Sequence, residues 1–359
     1  MKKVKYAVLG GGNGGQCIAA YLTLKGYETS IYDRYANVIN PIKEKGGIEL
    51  TGVSLNGFAN IGTITTDIGE AIDGADAILV VLPAFAHAYI AQELAPLLKD
   101  NQIILLCPGS SGGVLEFRKI LQDQGCKAYI KIGETSSLFY ASRAKDGVAN
   151  IGEVKKNLMI SALPSEDADY IIEFLKDVYP DLIKVDNILY TYLCNLNAII
   201  HPIPMILSTS WIEATGGDFR FYLDSITPTV GKMVEKIDAE RLAIGKALGM
   251  KLKSTRESLE SYYGASGDSI YEAVRTVEGY KTIMVPPNLQ SRFLLEDVPM
   301  GLVPMTELAK LVGVETPIMD TVIHMASILV DRDLKAEGRT LERLGISHMN
   351  VQELREYVR

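Results

Sequence analysis

Gly10, Gly12 and Gly15 stand in the spacing G-x-G-x-x-G, and Asp33 follows eighteen positions after the last of them. Those residue types suit the binding of a dinucleotide. Gly10 permits a tight turn, and Gly12 has no Cβ to hold the backbone away from a pyrophosphate. Gly15 lets a helix pack close on a strand. Asn13 and Gly14 complete the loop, whose helix would offer free N–H groups and a positive dipole end to phosphates. Asp33 would accept hydrogen bonds from the adenosine ribose hydroxyls and repel a 2′-phosphate. NAD(H) is therefore favoured, with NADP(H) the alternative because Arg34 is adjacent.

A reaction that moves a hydride also needs a group to handle its proton, and histidine titrates nearest neutrality. The chain has four. His324 falls among apolar residues at helical spacing and reads as structural; His348 lies in a polar tail and reads as exposed. His87 follows Pro83, where a cofactor-lining role and a surface role are equally open. His201 ends an apolar helical stretch before Pro202, shares a face with Asn197 and Leu193, and is expected to be pushed out of the helical region. A catalytic histidine and a satisfied core histidine are both open there. The segment NLQSRFLLEDVP (Asn288–Pro299) gathers Arg292, Glu296 and Asp297. An arginine there would fork onto a carboxylate and an aspartate would orient an imidazole. By spacing alone, a solvated loop with a local Arg–Glu pair is the stronger reading.

The elements that must carry these residues follow from apolar patterning. Val4–Leu9, Glu28–Tyr32, Ala77–Leu82, Ile103–Leu106, Ala128–Ile132 and Lys155–Ser161 read as strands alternating with helices. That pattern implies α/β architecture, an N-terminal Rossmann doubly wound parallel sheet. Gly10–Gly15, Pro83, Pro108–Gly109 and Glu134 would lie at its carboxyl edge, where ligands bind. From Asp186 onward helical spacing dominates, with expected helices over Asn187–Ile200, Phe219–Ala247 and Ile318–Val330 among others. The expected division is residues 1–185 for the nucleotide domain and 186–359 for a mostly α-helical substrate domain.

With 359 residues, 22% charged, and a net charge of −8, the chain has the composition of a soluble enzyme of two domains. No basic stripe points to nucleic acid or an anionic membrane surface. Four scattered cysteines form neither a metal knuckle nor a disulfide framework. The first strand begins too early for a signal peptide, and no stretch spans a bilayer, so a cytoplasmic location is expected. The apolar helical domain would serve a homodimer face as readily as an intrachain one.

The motifs YAVLGGGNGG (Tyr6–Gly15), PGSSGGVLEFRKIL (Pro108–Leu121), IGETSS (Ile132–Ser137), NLNAIIHP (Asn195–Pro202), YLDSITPTVGKMVEKIDAER (Tyr222–Arg241), NLQSRFLLEDVPMGLVP (Asn288–Pro304) and EGRTLERLGI (Glu337–Ile346) resemble those of the opine dehydrogenases. This is the octopine/nopaline dehydrogenase group, and the match is to its bacterial N-(1-carboxyethyl)norvaline type. The resemblance covers nearly the whole chain. It implies NAD(P)H-dependent condensation of an L-amino acid with a 2-oxo acid such as pyruvate, through an imine. It implies His201 as the proton relay, Asp297 as its acidic partner and Arg292 as a substrate-binding residue; Asn197, on the same helical face as His201, is expected to join Arg292, and no cluster of metal-ligand spacing is found in the sequence. It further implies that nucleotide and helical domains close over the reactants. Two rivals stand beside it. A hydroxy-acid, ketopantoate or glycerol-phosphate dehydrogenase would ordinarily place a lysine at the start of the second domain, and Asn187–His201 contains none. A non-catalytic NAD(H) sensor would need no His–Asp–Arg set.

Overall fold

The computed structural model describes residues 4–359. These divide into two compact units: residues 4–109, 113–188 and 358–359 form one, and 110–112 with 189–357 the other.

The first unit holds twelve strands: β1 (Lys5–Leu9), β2 (Glu28–Tyr32), β3 (Ile48–Gly52), β4 (Gly57–Ala59), β5 (Thr63–Thr65), β6 (Ala77–Val80), β7 (Ile103–Leu106), β8 (Lys131–Thr135), β9 (Tyr140–Lys145), β10 (Val148–Val154), β11 (Leu158–Leu163) and β12 (Leu182–Lys184). Eight of them form one sheet in the order β12-β11-β8-β7-β6-β1-β2-β5. The runs AILV of β6 and IILL of β7 are buried throughout, as expected of strands covered by helices on both faces. Register aligns the strand ends. Leu9 pairs with Tyr32 and with Val80, Val80 with Leu106, and Leu106 with Glu134. The segments that follow β1, β2, β6 and β7, together with the end of β8, therefore share one edge.

The sheet departs from all-parallel pairing at one place. β11 runs antiparallel to β8, because the chain between them turns back as a hairpin rather than crossing over through a helix. That hairpin, β9–β10, joins β3 and β4 in a second sheet of order β4-β3-β10-β9 that the apolar pattern did not announce. Its turn is Asp146–Gly147, with φ of 50° and 73°, the Asp-Gly dipeptide that matches a two-residue hairpin loop. The hairpin packs on the Asn13–Leu24 helix and is tied to the glycine-rich loop by side chains. Ala144 N–H donates to Asn13 Oδ1 at 2.8 Å, and Gly147 N–H to Gln16 Oε1 at 3.1 Å. Gln16 Nε2 in turn donates to Gly11 O at 2.7 Å.

The second unit is helical. Where one helix was expected over Asn187–Ile200 there are two, Ile188–Leu193 and Leu196–Ile200, and a third, Pro202–Leu207, abuts the second. His201 does not leave the helical region: its φ and ψ are −82° and −44°. Pro202 occupies the first position of the next helix, where a missing N–H costs nothing. The chain therefore kinks at His201 without breaking. The single helix expected over Phe219–Ala247 is also divided. Phe221–Ser225 winds as a π-helical turn, and Thr227 then caps the Pro228–Ala247 helix, a Thr-Pro start that ends whatever precedes it. A second π-helical turn spans Val298–Leu302. Among the described residues no helix is long and apolar enough to cross a membrane.

Candidate active site

The glycine-rich loop closes by backbone contact. Gly10 has φ of +123°, and a Cβ there would lie 2.2 Å from Val81 O; a Cβ on Gly15 would lie 1.7 Å from Gly10 O. Neither position accepts a side chain. Gly12 differs, since nothing lies within 4 Å of where its Cβ would be. It is the residue before the first turn of the Asn13–Leu24 helix, which no side chain caps. Open space beside uncapped helical N–H groups is what a pyrophosphate requires. Gly14 is closed off by Leu138 and Val81, and the amide oxygen of Asn13 is already taken by the hairpin. Asp33 is buried, with Oδ2 accepting from Gly11 N–H at 2.9 Å and Oδ1 from Tyr35 N–H at 3.0 Å. The carboxylate is thus fixed against the loop. Arg34 is exposed, its guanidinium 5.2 Å from the Tyr35 ring centroid and 4.6 Å from that of Tyr89.

Pro83 begins the short turn after β6, and Pro108–Gly109 follow β7 on the same sheet edge. Glu134, on β8, is buried and accepts from Val114 N–H at 3.0 Å. Its carboxyl faces the start of the Gly113–Asp123 helix, the end that favours an anion. A Cβ on Gly109 would fall 2.0 Å from Glu134 Oε2, so that glycine admits the carboxylate. The residues present on this edge fit a dinucleotide. His87 is fully buried, which removes the surface reading for it. His324 is exposed rather than structural: the buried face of its helix is Met319, Val322, Ile323, Ala326 and Val330, and position 324 falls off that row. His348 is exposed.

In the second unit His201 and Asp297, 96 residues apart, meet. Nδ1 of His201 lies 2.7 Å from Asp297 Oδ2, and Nε2 lies 3.0 Å from the Tyr222 hydroxyl. The imidazole stacks on Phe293 at 4.1 Å and 17° and meets Phe221 edge-on at 5.5 Å. Both acid and ring are buried, with His201 6% and Asp297 8% exposed. A carboxylate on Nδ1 sets the tautomer with Nδ1–H donating, leaves Nε2 to exchange protons, and stabilises an imidazolium when one forms. Tyr222 lies in the first π-helical turn, and Asp297 immediately precedes the second; such turns recur at functional sites.

Arg292 opens the short Arg292–Leu295 helix. Its side chain is 66% exposed and its Nε donates to Glu296. The local Arg–Glu pair expected from spacing is therefore present, and the outward guanidinium retains its other N–H groups for a carboxylate. Asn197 is exposed and accepts the His201 backbone N–H through its carbonyl at 2.9 Å. Tyr222 was not singled out in the sequence, because its segment read as the start of one long helix. The signal available was the aromatic pair Phe221–Tyr222 ahead of a Thr-Pro helix start.

Residues 184–330 match the family described as NAD/NADP octopine/nopaline dehydrogenase, alpha-helical domain. Residues 5–123 match the N-terminus of NAD-dependent glycerol-3-phosphate dehydrogenase. The chain is 43% identical over 354 residues to an opine dehydrogenase of Arthrobacter sp. (strain 1C), covering 98% of each. The chain belongs to the opine dehydrogenase family. Opine dehydrogenases are NAD(P)-dependent oxidoreductases that act on CH–NH bonds, and this chain is one by that membership. It is also 28% identical to the protein ocs of Agrobacterium tumefaciens (strain Ach5), over 97% of each chain. An octopine dehydrogenase solved with NADH and L-arginine shares the fold at a TM-score of 0.80 and 23% identity, over 98% of this chain and 97% of that one.

Proposed function

We propose that this opine dehydrogenase condenses an L-amino acid with pyruvate or a close 2-oxo acid and reduces the product, with His201 as its acid–base group and Asp297 as that group's partner. The observation that carries the assignment is the buried Asp297–His201 hydrogen bond of 2.7 Å. An amino acid arrives as an ammonium ion and must lose a proton before its nitrogen attacks the 2-oxo carbon. The carbinolamine so formed must gain a proton on its hydroxyl to lose water and become the protonated imine. One base that takes the first proton and returns it serves both steps. Asp297 stabilises the imidazolium between them. Gly10–Gly15 and Asp33 would hold NAD(P)H, which would supply the hydride. Arg292 would hold a substrate carboxylate with the guanidinium N–H groups that Glu296 leaves over, and Asn197 lies one helical turn before His201.

A reduced cofactor and an amino-acid substrate suit the cytoplasm, as do cysteines that are all unpaired. The family's proton chemistry, rather than a hydroxy-acid reaction, is supported by the histidine–aspartate pair and by the absence of lysine from residues 187–201. The test is NADH oxidation with pyruvate against a panel of L-amino acids. Oxidation that requires both substrates is expected, and oxidation with the 2-oxo acid alone would overturn the assignment.

Two further outcomes are expected. Arg292→Ala should mainly raise KM for the substrate carboxylate it clamps, since a clamp that serves ground and transition states alike leaves kcat in place; a collapse of kcat at saturating substrate would contradict it. Asp33→Asn keeps an acceptor for only one of the two N–H groups, Gly11 or Tyr35, that the carboxylate now serves, and removes the charge facing a 2′-phosphate. Two unit charges about 4 Å apart near a protein surface repel by roughly 4 kcal/mol. NADPH affinity is therefore expected to rise by about tenfold or more, and NADH affinity to fall by about tenfold with the charge-assisted bonds. Fluorescence titration of each cofactor reads both; unchanged NADPH affinity would remove Asp33 as the discriminator.

A further inference from the structure

His201 has one nitrogen left to exchange a proton with substrate, and that nitrogen is already occupied. With Nδ1 committed to Asp297, the Nε2 atom is 3.0 Å from the Tyr222 hydroxyl. Phe293 covers one face of the imidazole and Phe221 meets its edge. Direct access of substrate to Nε2 would require Tyr222 to leave. Tyr222 is poorly placed to do so. It is buried, stacks on Tyr280 at 3.7 Å and 7°, and meets Phe221 edge-on at 4.9 Å.

We propose that Tyr222 is a catalytic residue whose hydroxyl passes the proton between His201 Nε2 and the reacting nitrogen or oxygen of the substrate. This rests on the acid–base reading of His201 given above. A phenol is suited to the task because one oxygen both donates and accepts. On amine deprotonation the substrate N–H proton moves to Tyr222 Oη as the Tyr222 proton moves to His201 Nε2. On loss of water from the carbinolamine both hops reverse: Nε2–H returns its proton to Tyr222, which protonates the departing hydroxyl. The relay thus returns to its starting state, the ammonium's proton leaving in the water; the secondary amine formed after reduction would take its proton from solvent. Burial, with the neighbouring Tyr263 and Asp297, pushes the phenol above its ordinary range against the lowering effect of a hydrogen bond from Tyr280; moving both protons in one step avoids a tyrosinate. The ionisable groups facing the pair are Asp297, Tyr263 and Tyr280, with the Arg292–Glu296 ion pair next along the chain from Asp297.

The experiment is single-turnover oxidation of NADH, with pyruvate and the accepted amino acid, in mixtures of H2O and D2O. Two protons moving in one step give the wild-type rate a curved dependence on deuterium fraction. Tyr222→Phe keeps the ring and its stacking but loses a buried hydrogen bond, a cost of about 1 kcal/mol, so rates are compared at a temperature where both proteins are fully folded. It is expected to lower the rate by about 10²-fold and to make the deuterium dependence linear. A linear dependence in the wild type would overturn the relay whatever the variant does. So would a Tyr222→Phe rate within about threefold of wild type, or faster, since that would mean substrate displaces the tyrosine rather than using it. His201→Ala is run in parallel. Loss in His201→Ala without loss in Tyr222→Phe defeats the relay alone; wild-type turnover in His201→Ala defeats the acid–base reading and the relay together.

Discussion

His201→Ala is expected to reduce kcat by about 10²–10⁴-fold, the contribution of a positioned acid–base group, with NADH affinity unchanged. The prediction separates the two kinds of loss by where the residues lie. The dinucleotide motif Gly10–Asp33 belongs to the first unit, and His201, Asp297 and Tyr222 all belong to the second. The substitution also strips the buried Asp297 carboxylate of its 2.7 Å partner, which costs about 1–3 kcal/mol of stability, so turnover must be read well below the melting temperature. Asp297→Asn provides the second arm. An asparagine that donates to Nδ1 selects the other tautomer, with Nε2 carrying the hydrogen, and removes the charge that stabilises the imidazolium. A loss of kcat in the same range is expected. Because the two residues act as one device, the double variant should be little slower than His201→Ala alone. Additive losses would show two independent functions. A His201→Ala enzyme within about threefold of wild type would end the acid–base assignment.

Legibility of this site in the sequence was uneven, for physical reasons. The nucleotide edge is local: Gly10, Gly12, Gly15 and Asp33 lie within one βαβ unit, and their spacing follows from the length of one helix and one strand. Continuous apolar runs likewise announced β6 and β7. The β9–β10 hairpin was missed although its Asp146–Gly147 turn is a strong signal, because one face of each strand is polar and solvated and the apolar run is short. The antiparallel β11 follows from that omission. The proton-handling site is not local at all. His201 and Asp297 come together across 96 residues, and no periodicity relates them; only the family resemblance joined the two motifs. Tyr222 escaped even that, since a π-helical turn has no separate sequence period and merges by eye into the helix after it. The steric bias against helical backbone before proline was overridden at His201, where Asp297 and Phe293 hold the imidazole in place.

Arg241→Met is expected to cost about 3–5 kcal/mol of stability. The guanidinium is fully buried in the second unit. Its Nε donates to Asp238 Oδ1 at 2.8 Å, one terminal nitrogen donates to Leu193 O at 3.0 Å, and the other to Lys253 O at 2.7 Å. Asp238 also accepts from Thr255 N–H at 2.7 Å and from its hydroxyl at 2.8 Å. Methionine fills much of the volume yet leaves a buried carboxylate without its cation and two carbonyls without donors. A melting shift of roughly 2–4 °C per kcal/mol for a chain of this size makes the loss readily measurable. Asp238→Asn in the Arg241→Met background removes the stranded charge and should recover part of the loss. Recovery stays partial because the Leu193 and Lys253 carbonyls remain unmatched. The consequence for catalysis follows from what Leu193 does. Its carbonyl ends the Ile188–Leu193 helix, and the next helix leads directly to His201. Arg241 thus fixes the turn from which the imidazole is delivered. Turnover in Arg241→Lys, which keeps the charge but not the fork, should fall at temperatures where the fold is intact. Wild-type turnover with lowered stability would confine Arg241 to holding the fold.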